Sequence, residues 1–456
     1  MQPRRWIRWI AIALIAVLGV SGCGNDDAGA PDTEPQATAS DEASEQPEPE
    51  PADEPADEPA DEPADEPADE PAEEPVSEAP SESPGVVTIG VIYSADNPVY
   101  TSESVRAIAE AAAAFFNEAG GIDGRPVEVV ACNDLADPNQ AALCAEEMVD
   151  SDVDAVLSAS LFEGGNIPVT TGAGIPHFPT VPNNPAAFTG ENIYNITSGV
   201  PQIVVGGVIA AERGIDTVDL LTMETPVLPL LENLYSCGLA ANGIALGETI
   251  VVPPTTQDWA PFAAQLTSGP SAGVMVLLPE FAVVPLGNAL AQSGVETQIM
   301  IPGGTITAEN IEQSGGADSP FGGAIVFGPF PSPENPVWDD FIAAIQSYAP
   351  DMLEVMTGNQ QSQSGWTGMV AIRSVILSEL AGMDVTSMSH SEALSSSPAI
   401  DTGGLTQPLD FTSTSDGPYG AIRNTSVYLS TVEGGELVPL NDDEPVEITD
   451  TLPTCQ

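Results

Sequence analysis

From Val86 onward the apolar and polar positions switch repeatedly between two periods. Val86 to Tyr93 is a short, nearly continuous apolar run, the pattern of a strand buried on both faces, and Ser102 to Ala119 then carries the longer spacing of a helix. That helix closes at Gly120-Gly121, Ile122-Asp123-Gly124 makes a turn, and Pro126 to Cys132 supplies the next strand. Asp137 is placed to cap a second helix, with Pro138 in its first turn and Gln140 three residues after the cap. The same reading predicts strands at Val153 to Ser158, Ile175 to Val181, Thr217 to Thr222, Ala245 to Val252, Gly273 to Leu278 and Gln298 to Ile301. Helices are predicted at Pro201 to Glu212, Leu228 to Ala241, Asp258 to Thr267 and Phe281 to Gln292. Two more follow at Pro336 to Tyr348 and Ser364 to Leu380, and a strand-rich tail has turns at Asp416-Gly417 and Gly434-Gly435. Strict alternation of this kind builds parallel sheets covered by helices on both faces, so the expected fold class is α/β, with two doubly wound lobes.

The first 85 residues read differently. Met1 to Gly22 has the form of a secretion signal, with Arg4, Arg5 and Arg8 ahead of the apolar run Trp9 to Val20. Its end, Val20-Ser21-Gly22-Cys23, looks like a bacterial lipobox, in which Cys23 is lipidated and becomes the mature N-terminus. Residues 23–85 follow as an acidic tether, in which Pro-Ala-Asp-Glu occurs five times between Pro51 and Glu70. Proline blocks regular structure and the carboxylates repel one another, so a disordered spacer at the outer face of a membrane is expected. In polyproline form at ~3.1 Å per residue it would reach on the order of 190 Å.

Charge narrows the partners. The chain has 68 acidic and 8 basic residues and no lysine; residues 24–85 hold 23 of the acids, which leaves 45 acids against five arginines from Val86 onward. A folded part with a net of 40 negative charges repels nucleic acid and anionic lipid, and no nucleic-acid partner is expected.

Candidate chemistry is sparse. Histidine occurs only as His177, in a predicted buried strand, and His390, in the serine-rich segment Thr386 to Ser397, where a solvated position is expected. Neither has metal-ligand spacing, and no G-x-S-x-G elbow, P-loop or post-strand G-x-G-x-x-G occurs, so no enzyme, metal or cofactor is expected.

The junction Phe115 to Val149 carries a resemblance. Its N-x-x-GGI-x-GRP-V-x-V-V segment, followed by D-x-x-DP-x-x-A, resembles the periplasmic substrate-binding proteins of the leucine/isoleucine/valine type, receptors of ABC importers. The resemblance runs over roughly residues 86 to 440 and implies three crossings between lobes, near Thr197, Pro329 and Leu405. One lobe would hold 86–197 and 330–405, the other 198–329 and 406–456. Ligand would lie between their facing rims, where the carboxyl ends of parallel strands meet.

By that resemblance Tyr100 supplies an aromatic after the first strand. The loop Ser160 to Asn166, with Ser160, Phe162 and Gly164, receives a ligand carboxylate through hydroxyls and backbone N–H groups, although the expected serine run is missing. Asn183 stands at the usual threonine, Phe281 is the aromatic of the opposite lobe, and Trp366 matches one that closes the cleft. Gly303 occupies the position of the acid that holds an α-ammonium group, leaving Glu280 or Glu224 as replacements. The ligand is then an amino acid, or an amide or small carboxylate if neither acid reaches it. The expected partners are this solute, a membrane permease and the membrane itself through the lipid anchor, with the receptor a monomer. A sensor module of the same fold, with no permease, is the alternative.

Four cysteines remain beyond Cys23, and an even number in an exported chain favours disulfides. Three pairings are open, as is a fully reduced set. The implied lobe division favours Cys132 with Cys144 and Cys237 with Cys455.

Overall fold

The computed structural model describes residues 85–455 except 98–99, 226, 295, 413–416 and 453–454. The expected leader, Cys23, nearly all of the tether and Asp416 of one expected turn lie outside the described residues. Two sheets organise the rest. The first is entirely parallel, in the order β2-β1-β3-β4, from β1 (Val87–Tyr93), β2 (Val127–Asn133), β3 (Ala155–Ala159) and β4 (His177–Pro179). Val87, Ile89 and Val91 are fully buried under the helices Glu103–Glu118 and Gln360–Glu379, while Ile92 packs on the other face with Met148 and Val156. Each face of the pleat therefore feeds its own core. The turn into β2 needs glycine: Gly121 has φ +81°, and a Cβ there would lie 2.0 Å from the Arg125 carbonyl oxygen. Asp137 caps the helix Pro138–Asp150, accepting from the backbone of Asn139 and Gln140.

The second sheet comprises β5 (Thr217–Met223), β6 (Ala245–Val252), β7 (Gly273–Leu277), β8 (Gln298–Pro302), β9 (Ile325–Gly328), β10 (Ser426–Glu433) and β11 (Glu436–Pro439), with β12 (Val446–Glu447) paired to the start of β10. Its order is β11-β10-β9-β8-β7-β5-β6, parallel from β6 to β9 and antiparallel beyond. The turn at Gly434-Gly435 closes the β10–β11 hairpin, both glycines at positive φ.

Four departures from the sequence reading have physical causes. β9 is only Ile325–Gly328, too short between glycines for its period to register. The helix expected from Ser364 starts at Gln360, because Asn359 rather than a later residue caps it by accepting from Ser362 N. The serine-rich segment is a helix, Ser387–Ser396, opened by a capping box at Thr386, and His390 is buried in it rather than solvated. The last crossing falls after Phe411, not near Leu405. Ile400 and Leu409 exchange backbone hydrogen bonds of 2.8 and 3.0 Å, which holds Leu405, Leu409 and Phe411 in the first core, whereas Ile422 packs in the second.

The first and third crossings touch. Asn195 pairs with Ile422 in a parallel bridge, its Nδ2 donates to the carbonyls of Ala187 (2.7 Å) and Ala421 (3.0 Å), and Asn424 Nδ2 donates to Ile196 O (2.9 Å). Both expected cysteine pairs are bonded, Cys132–Cys144 and Cys237–Cys455. His177 and His390 are both buried; desolvation lowers their pKa values to about 3 and about 4, so each ring is neutral at physiological pH. Among the described residues no helix is long and apolar enough to cross a membrane.

Candidate functional site

The carboxyl ends of β1, β3 and β4 face those of β7 and β8 across a cavity of about 700 Å³. From the first lobe come Asn97, Tyr100, Thr101, Ser104 and Val181, with Met352, Val355 and the run Asn359-Gln360-Gln361. The second contributes Gln202, Ile203, Leu231, Leu277 to Phe281, Pro302, Gly304 and Thr305. Apolar side chains predominate, and the polar ones are mostly amides and hydroxyls. The charged residues in this lining are Glu103 and Glu280; none is basic. Glu103 is held by Arg106 at 3.1 Å, and Glu280 is exposed at the start of the helix Glu280–Ser293.

Tyr100 forms the cavity wall over the first sheet. Its hydroxyl donates to Ala159 O at the end of β3 (3.1 Å) and accepts from Gln361 Nε2 (3.4 Å). Burial, and then the charge of Glu163, push its pKa well above the usual phenol value. Beneath it lies a closed polar network. The Ser160 hydroxyl donates to Asp134 and accepts from Phe162 N, and Asp134 also accepts from Ser94 Oγ at 2.6 Å. Asn183 donates its backbone N–H to Glu163 (2.9 Å) and its Nδ2 to Ser160 O (3.3 Å).

Glu163 is 1% exposed, and desolvation outweighs its two backbone donors, raising its pKa from 4.5 to about 8. Because the folded value lies above the unfolded one, folding takes up a proton. Ionised Glu163 therefore costs stability, by nothing below about pH 4.5 and by the full amount above about pH 8. Glu163→Gln is expected to recover about 2 kcal/mol more stability at pH 8 than at pH 6.5 relative to the parent chain. Chemical denaturation at both pH values checks this; a difference independent of pH would mean that Glu163 carries no proton in the folded chain.

Of the residues singled out in the sequence, Tyr100, Glu280 and Phe281 line the cavity. Ser160, Phe162, Gly164 and Asn183 do not: the Ser160 hydroxyl is engaged with Asp134 and Phe162 N, and Asn183 gives its backbone N–H to Glu163. Gly164 lies in the first turn of the helix Glu163–Gly172. Gly303 gives its N–H to Phe327 O and faces a separate hollow of about 70 Å³, while Gly304 and Thr305 face the cavity. Glu224 is absent from the lining, its backbone N–H bound to Val252 O beyond β5. Trp366 is 2% exposed in the first core against Phe115, Phe116 and Phe341, because the early start of its helix carries it two turns below the rim. The sequence reading missed Gln202 and the amides 359–361. The run Asn359-Gln-Gln-Ser-Gln363 was a visible compositional signal, dense in amides just ahead of a helix.

No curated relative matches the chain. Solved structures do match its fold. A fatty acid ABC transporter substrate-binding protein from Thermomonospora curvata has a TM-score of 0.66 at 16% identity, covering 80% of this chain and 94% of its own. A leucine-binding protein from Thermotoga maritima has a TM-score of 0.62 at 18% identity, covering 80% and 100%. A solute-binding protein of an ABC transporter from R. palustris, in complex with benzoate, has a TM-score of 0.62 at 13% identity, covering 79% and 98%. The family model described as periplasmic binding protein matches residues 86–436, and such proteins are binding proteins, not enzymes. With two facing parallel-sheet lobes, a cavity between their rims and a family match over most of its length, the chain belongs to the periplasmic binding proteins.

Proposed function

We propose that the protein is the extracytoplasmic receptor of an ABC importer, tethered through Cys23, which captures a small amphipathic solute bearing no negative charge and presents it to a permease by lobe closure. The observation that carries the choice of solute is the cavity lining, which has apolar walls, amides and two carboxylates but no basic side chain. Leucine, fatty acids and benzoate, the solutes in the names of the structural neighbours, each carry a carboxylate. Here the loop that would receive that group lies outside the cavity lining, and its Ser160 hydroxyl is already donated to Asp134. An unpaired buried charge is costly, so an anionic head group is disfavoured.

Contacts from both lobes favour the closed state, and a solute shifts the equilibrium by its differential affinity for that state. Small-angle scattering of the domain from Val86, with and without a saturating neutral amide such as hexanamide, is expected to show compaction on binding. Calorimetric binding without any change in radius of gyration would defeat the closure reading. Tighter binding of leucine or benzoate than of their neutral amides would defeat the choice of solute.

A further inference from the structure

We propose that Gln360 is a movable partition and that the hollow of about 70 Å³ behind it is a second subsite, which takes the end of an uncharged apolar tail and makes the receptor selective for chain length. The inference rests on the receptor reading above and extends it from the head of the solute to its tail. Among the described residues Gln360 is the one that lines both the large cavity and this hollow. The boundary continues along the chain on either side: Gly304 and Asn359 face the cavity, while their neighbours Gly303 and Gly358 face the hollow. The Gln360 side chain stands on that boundary. A Cβ at Gly304, on the cavity side, would lie 2.9 Å from its Oε1, and one at Gly328, on the hollow side, 3.2 Å from its Nε2.

Neither of these glycines has a positive φ, so what matters at both is the space a side chain would fill: the Gln360 amide lies against bare backbone of the second lobe. Little else holds it. The neighbouring amides are in use, Asn359 accepting from Ser362 N at 3.0 Å and Gln361 donating to the Tyr100 hydroxyl at 3.4 Å, whereas the Gln360 side chain forms no hydrogen bond among the described residues. Rotation about its side-chain torsions, from one staggered well to another, therefore opens the hollow without breaking a bond.

The space behind suits hydrocarbon. Val326, Phe327 and Phe330 are buried there, Leu437 and three prolines of the second crossing add apolar surface, and no lining residue is charged. The polar members are Ser332, its hydroxyl given to Glu334, with Gln363, Tyr428 and Ser430. In the large cavity, by contrast, the apolar walls Phe281 and Val355 are exposed, so a tail left there stays partly wet. Moving one methylene from water into the hollow strengthens binding about fourfold, and about 70 Å³ holds roughly two such groups.

The test is the chain-length preference, measured by calorimetry as the affinity for octanamide relative to butanamide. The parent chain is compared with Gln360→Ala, which removes the partition, and with Ser430→Leu, which fills the hollow from β10, where Ser430 stands opposite Val326. Gln360→Ala is expected to raise the octanamide-to-butanamide ratio about threefold, because the tail no longer displaces an amide packed in its slot. Ser430→Leu is expected to lower the ratio about tenfold, and the double variant to behave as Ser430→Leu does. The proposal is overturned if Gln360→Ala leaves the ratio where it is, if folded Ser430→Leu does so, or if neither amide binds. Gln360→Ala decides alone if Ser430→Leu does not fold. Scattering on the same samples separates the two readings. Compaction with a flat chain-length response keeps lobe closure and removes the subsite, whereas a chain-length response without compaction keeps the subsite and removes closure.

Discussion

Cys237→Ser combined with Cys455→Ser is expected to lower the stability of the second lobe by about 3–5 kcal/mol. The bridge joins residues separated by 218 positions, and chain-entropy reasoning gives on the order of 5 kcal/mol for so long a loop against about 3 kcal/mol for the Cys132–Cys144 bridge, whose separation is 12. Burial points the same way, since Cys455 is 1% exposed and packs in the second core with Tyr235 and Leu452. Without the bond the last residues after β12 would keep these apolar contacts and two hydrogen-bonded ties to Thr425, from Ile448 N (3.0 Å) and with the Thr449 hydroxyl (2.6 Å). Denaturant unfolding of the two double-serine variants, followed beside the parent, measures both losses. Equal losses would show that loop length does not set the effect.

Trp366→Ala is expected to cost about 3–5 kcal/mol, as removal of a large buried aromatic does. Its ring lies 5.9 Å from those of Phe115 and Phe116 and 5.8 Å from that of Phe341, centroid to centroid, so the vacated space is walled by aromatics that cannot collapse into it freely. Phe281→Ala is the informative partner, since Phe281 is 51% exposed on the cavity wall and should lose little stability while weakening solute binding. Unfolding and titration of both variants separate core from cleft. A loss below about 1 kcal/mol for Trp366→Ala would return that residue to the cleft.

How far the sequence could be read depends on what each feature rests on. The strands β1 to β8 and most helices follow from local period and capping, which neighbouring residues carry by themselves, as at Asp137 and Gly120-Gly121. β9 is four residues long and exists because β8 and β10 flank it, a condition invisible in the chain. Of the site residues transferred by position, Tyr100 and Phe281, which follow the ends of β1 and β7, line the cavity. Others lie off it, where a side chain's direction depends on a helix start several residues away, as at Trp366, or where a hydroxyl is engaged inside the lobe, as at Ser160. Gln202 carries no motif. Its place on the cavity wall comes from the turn Val200–Val204, which only three-dimensional packing brings there.

The amide ties between the first and third crossings give the molecule a mechanical character. Asn195 and Asn424 bind two strands of the hinge into one strap, with bonds running between backbone carbonyls and side-chain amides. A strap of this kind twists readily about its length but resists one strand sliding along the other, because sliding would break the Asn195 and Asn424 bonds together. Under the proposed lobe closure, motion would thereby be reduced to a swing about nearly one axis, and the cleft would open as a hinged jaw opens rather than by shear. Each such swing would keep the turn Val200–Val204, tied to Pro182 beside that strap, in the same place relative to the first lobe's rim.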